Sequence, residues 1–172
     1  MSDGVAVIRR AMADAARQLE DAGAKDELLA DLTQRRRLLG LARPPIFVLR
    51  GRVWRLGVLL LSHDQAMYAT GTITRATDTG RPTYQSASVE ERREYRATAV
   101  RSGLPMGETV NFDAPPIELD AAALGQTDGP LFLRDDLPLV RWSHTSGDAS
   151  AMPLEDYLRD RVELLVHPPE GA

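Results

Sequence analysis

Residues 53–75 limit what this chain can fold into more than any other segment. VWRLGVLLL and AMYATGTITR stand on either side of the polar break Ser62-His63-Asp64-Gln65. In the first, Trp54, Leu56, Val58 and Leu60 alternate with Arg55 and Gly57 until Leu59 and Leu61 make both faces apolar. In the second, Tyr68, Thr70, Thr72 and Thr74 alternate with Met67, Ala69, Gly71 and Ile73. A period of two in residues that favour extended backbone predicts strands, and the break predicts a turn near His63 and Asp64. The result is a central β-hairpin whose first strand runs from a sheet edge inward.

Helical spacing dominates elsewhere. Val5, Ile8, Met12, Ala15 and Leu19 recur three and four apart, opposite Arg9, Arg10, Asp14, Arg17 and Gln18, and Gly23 closes that helix. Leu28, Leu29, Leu32 and Leu39 continue a similar stripe and predict a second helix ending at Gly40, with Arg35, Arg36 and Arg37 in the last turns, where cations suit the helix dipole. Together they form an N-terminal helical hairpin. Pro44 and Pro45 then force extended backbone. Ser88 with Glu91 three residues on is a capping-box pattern opening a charged helix, VEERREYRATAVRSG, that Gly103 ends.

Residues 109–112 and 117–119 read as short extended pieces, as do 131–134 and 139–142 around a turn at Asp135-Asp136. Leu154, Tyr157, Leu158, Val162, Leu165 and Val166 form the stripe of a last helix, stopped by His167-Pro168-Pro169. The expectation is an α+β protein: a helical hairpin, a small antiparallel sheet built on the central β-hairpin, a middle charged helix and a C-terminal helix. With 172 residues and no repeat, low-complexity tract or linker, one domain over residues 1–172 is expected.

Composition removes several chemistries. There is no cysteine, so disulfides, thiolate ligands and cysteine nucleophiles are excluded. Lys25 is the single lysine against twenty arginines, so any lysine base, Schiff base or P-loop would depend on it alone. His63, His144 and His167 are scattered too widely for a local metal pair, and no metal or cofactor is expected. The first residues lack the pattern of a signal peptide and no apolar run is long enough to cross a bilayer, which makes the cytoplasm the expected compartment.

Two segments hold raw material for function. Ser143, His144, Ser146 and Asp148 collect hydroxyls, an imidazole and a carboxylate in one loop, the ingredients of a serine hydrolase site. Triads are assembled from separated segments, and no GxSxG elbow is present, so a polar loop is the stronger expectation. Between Leu32 and His63 lie Arg35, Arg36, Arg37, Arg43, Arg50, Arg52 and Arg55 and no acid, in a chain of net charge -4. On one face these guanidinium groups would bind phosphate, nucleic acid or an acidic partner. Self-pairing with the chain's own acids competes with that, and the sparse aromatic residues nearby make nucleic acid the weaker option.

RRRLLGLARPP, VWRLGVLLL, the VRWS at residues 140–143 and the ending LEDYLRDRVELLVHPPEGA resemble a family of small actinobacterial proteins to which the name glutaminase is attached. That resemblance implies hydrolysis of glutamine to glutamate and ammonia. The serine glutaminase dyad is Ser-x-x-Lys, whereas Ala22 stands three before Lys25. The residues themselves therefore point first to a non-enzymatic binding or assembly protein. Association of two copies through a helical or sheet-edge surface is compatible with it, and amide hydrolysis is the alternative.

Overall fold

The computed structural model describes residues 3–35, 43–78, 87–142 and 148–168. The fold is α+β, and the chain divides into two compact units. The first comprises Met1–Asp26, Val53–Thr70 and Pro115–Ala172; the second comprises Glu27–Arg52 and Gly71–Ala114. Each has its own hydrophobic core.

In the first unit, helix α1 (Asp3–Asp21) buries Val5, Ile8, Met12, Ala15 and Leu19, the stripe set by their spacing. Gly23 (φ 58°) ends it in the left-handed region, and the Ala24 N–H donates back to the Leu19 carbonyl. Helix α4 (Leu154–Val166) buries Leu154, Tyr157, Leu158 and Val162 in the same core. Val53–Leu56 pair with strand β3 (Leu59–Ser62), which pairs across the Ser62–Ala66 turn with β4 (Met67–Ala69). The free side of β4 is covered: the Ala69 N–H donates to the Pro115 carbonyl and the Ile117 N–H to the Met67 carbonyl. Helix α3 (Ala121–Gln126) is capped by Asp120, whose carboxylate accepts from the Ala122 and Ala123 N–H groups. Strands β7 (Leu131–Arg134) and β8 (Leu137–Val140) form the hairpin expected around Asp135 and Asp136, both at positive φ (51° and 62°), and Met152–Pro153 adds the short strand β9.

The expected single strand VWRLGVLLL is broken. Gly57 (φ 66°) and Val58 make a two-residue turn that pairs Leu56 with Leu59. The Tyr157 hydroxyl fills the space a Cβ at Gly57 would need; it donates to the Leu56 carbonyl (2.8 Å) and accepts from the Val58 N–H (2.8 Å).

The second unit corrects the expected helical hairpin. Residues 27–33 are not a helix but strand β1 (Glu27–Thr33), in which Leu28, Leu29 and Ala30 are buried in succession. Three consecutive buried residues are incompatible with a one-sided helical stripe and are what an interior strand covered on both faces produces. The strand order is β2–β1–β6–β5, with β1 parallel to β6 (Thr109–Phe112) and β5 (Thr72–Arg75) antiparallel to β6. Strand β2 (Ile46–Leu56) serves both units, its residues 46–52 here and the remainder in the first. Helix α2 (Ala87–Arg101) lays Tyr95 and Ala99 against Phe112, Val110 and Ala76, and Gly103 (φ 73°) follows its end. Ser88 lies within its first turn rather than ahead of it.

Candidate functional site

The proposed hydrolase loop is represented by Asp148 alone, since Ser143, His144 and Ser146 lie outside the described residues. Its carboxylate accepts from Arg134 (2.5 Å) and from Arg141 Nε (2.6 Å). The Arg141 hydrogen bond holds this carboxyl below its usual range, against slight desolvation and with help from the charges of Arg141 and Arg134. Arg141 also donates to the Thr127 and Gly129 carbonyls and lies 3.7 Å from the Phe132 ring centroid. Asp148 is thus one corner of a polar clamp on the β7–β8 hairpin.

His63 Nε2 lies 3.0 Å from Asp26, its Nδ1 lies 3.4 Å from Glu20, and the ring centroid is 4.0 Å from that of Trp54. Both nitrogens face carboxylates. The adjacent Ser62 hydroxyl bonds to Asp64 and to the Ala66 main chain inside its own turn. His167 caps α4, its N–H donating to the Glu163 carbonyl. Among the described residues no group of His, Asp and Glu is placed to hold a metal ion, and no helix is long and apolar enough to cross a membrane.

The arginine window is divided. Arg36 and Arg37 lie outside the described residues, Arg35 and Arg43 are exposed, and Arg55 belongs to the first unit. Arg50 pairs with Asp31 at 3.5 Å and Arg52 with Glu108 at 3.3 Å. Arg50 and Arg52 are therefore engaged by acids of their own unit.

A different set of arginines lines one cleft in the second unit. A cleft of about 250 Å³ is lined by Ile73, Thr74 and Arg75 of β5, Thr109 of β6, and Arg92 and Arg96 of α2. Arg92 and Arg96 are four residues apart and so share a helix face; Arg92 Nε donates to the Ser88 carbonyl (3.1 Å). Among the described residues none of the three arginines has a carboxylate partner and no acid lines the cleft. Two acids of α2 are used elsewhere: Glu91 accepts from the Tyr95 hydroxyl and Glu94 pairs with Arg101. The sequence carried one signal for this site, the Arg92/Arg96 spacing. Arg75 joins it only because α2 packs against β5.

No protein-family model, curated protein or solved structure matches the chain.

Proposed function

We propose that the protein acts by binding rather than by catalysis, in the cytoplasm, and that its ligand is anionic and held at the Arg75, Arg92 and Arg96 cleft. The observation that carries this is one cleft lined by Arg92 and Arg96 from a single face of α2 and by Arg75 at the adjoining strand edge, with no acid among its described lining residues. Guanidinium forks match carboxylate and phosphate oxygens and bind them through charge-assisted hydrogen bonds. At about 250 Å³ the cleft is smaller than the roughly 300–1,000 Å³ of pockets that enclose whole ligands. It suits an anionic group projecting from something larger.

Titration with pyrophosphate and with short acidic peptides at low salt tests the proposal. Binding weakens steeply as salt is added, and Arg92→Ala with Arg96→Ala weakens it at least about tenfold, one charge-assisted bond being worth about 1.5–3 kcal/mol. Failure of every anion to bind at low salt would overturn the proposal. Incubation with glutamine is expected to release no ammonia above background, and release by the purified protein would restore amide hydrolysis.

A further inference from the structure

We infer that the anionic ligand is an extended acidic peptide segment that adds to β5 as a further strand, an inference that rests on the anion-binding function proposed above. Strand β5 ends the order β2–β1–β6–β5, and among the described residues nothing pairs with its outer side. The Ala76 N–H donates to the Glu108 carbonyl (3.0 Å) and the Ala76 carbonyl accepts from the Gly107 N–H (2.7 Å), so the Ala76 main chain faces β6. Alternation along an antiparallel pair turns Thr74 and Thr72 the same way and leaves the N–H and C=O groups of Ile73 and Arg75 pointing outward. Proteins normally blunt such edges, as Pro115 and Ile117 do at β4. Here the edge carries Ile73, an apolar side chain 50% exposed.

Side-chain geometry selects the occupant. Thr74 is buried on the face that α2 covers, whereas Ile73 and Arg75 lie on the opposite face. Every second residue of an added strand would face Arg92 and Arg96, and the residues between would lie beside Ile73 and Arg75. One helical turn separates Arg92 from Arg96, about 6 Å along the axis, close to the roughly 6.7 Å between alternate strand residues. Acidic residues at every second position, with apolar ones between, satisfy both faces. A second copy of β5 would set three arginines against three like charges, which disfavours self-pairing. Among the described residues no aromatic ring lines the cleft to stack a base, and a nucleic acid has no N–H and C=O ladder to match the edge. Strand addition supplies main-chain hydrogen bonds, and the flanking side chains supply selectivity.

The probe is fluorescein-labelled Glu-Val-Glu-Val-Glu, compared with the same peptide N-methylated at alternate amides, with pyrophosphate and with oligo-dT, by anisotropy and competition. N-methylation leaves charge intact and removes two ladder bonds, so affinity falls about tenfold or more at roughly 1 kcal/mol per bond. Ile73→Pro removes an outward N–H that the sheet does not use, a substitution edge strands accept; it abolishes peptide binding while pyrophosphate binding persists. Equal affinity for the methylated and unmethylated peptides, stronger binding of oligo-dT, or self-association of the free protein that Ile73→Pro dissolves would each overturn strand addition while leaving the anionic cleft in place. If neither pyrophosphate nor any peptide binds, the cleft itself fails as a site.

Discussion

Replacing Tyr157 by Phe removes one oxygen from the middle of the first unit's core and leaves the ring, 1% exposed, in place. That oxygen serves two main-chain groups on opposite sides of the Gly57–Val58 turn, the Leu56 carbonyl and the Val58 N–H, each at 2.8 Å. Leu56 is fully buried, so its carbonyl gains no water in exchange, and an orphaned buried acceptor costs about 1–3 kcal/mol. Val58 is only half-buried, so its N–H can turn to solvent and the second bond contributes about 0.5–1 kcal/mol. The vacated volume is a single oxygen, a cavity cost of a few tenths of a kcal/mol at about 24 cal/mol per Å³. Hydrogen bonding therefore dominates, and the total is about 2–3 kcal/mol. Both tryptophans, Trp54 and Trp142, belong to this unit, so their fluorescence during urea unfolding reads it directly. The midpoint falls with the slope unchanged, and Tm drops by about 5–10 °C. Tyr95→Phe, whose hydroxyl bonds only to the exposed Glu91, is the control and shifts stability by less than about 0.5 kcal/mol. A Tyr157→Phe protein as stable as that control would show that the hydroxyl does not hold the turn.

Asp148→Asn removes a carboxylate that the Arg141 hydrogen bond depresses. A depressed folded-state pKa contributes stability that is complete above the ordinary carboxylate range and lost as pH falls through the folded value. Thermal melts should therefore separate variant and parent near neutrality and converge in acid; a gap independent of pH would contradict the ion-pair account. Tyr95 is raised above the ordinary phenol value, first by its hydrogen bond to Glu91 and then by burial and the charges of Glu91 and Asp113. Its contribution to stability is complete below about pH 10 and is lost as pH rises through the folded value; Glu91→Gln lowers the Tyr95 midpoint in an NMR titration. Asn111 is fully buried and donates from Nδ2 to Glu27 (2.7 Å) and to the Leu28 carbonyl (3.2 Å). Asn111→Asp puts a carboxylate against both acceptors and destabilises the second unit by about 3–5 kcal/mol, seen as loss of amide-exchange protection in β1 and β6. Acid partly restores it, because a protonated carboxyl can donate.

The elements legible in the sequence are those whose burial follows one period. The stripes of α1 and α4 and the Asp135-Asp136 turn needed no tertiary information. Leu28, Leu29 and Leu32 satisfy a helical spacing, and only β2 and β6 on its two sides make β1 a strand. The break at Gly57 was hidden by an alternation that runs through it, and the Tyr157 hydroxyl that brackets the turn is a hundred residues away in sequence. Helix α3 spans six residues, too few to show a period. The arginine cleft drew its members from β5 and α2, and charge counted along the chain favoured residues 35–55 instead.

The interleaving of the two units imposes an order on their formation during synthesis. Every residue of the second core has left the ribosome once Phe112 is clear, so that core can close while translation continues. The first core is complete only when Leu154–Val162 join α1. Until then the apolar stripe of α1 has β3 and β8 to pack against but lacks α4, so part of it stays uncovered until the last segment of this core is made.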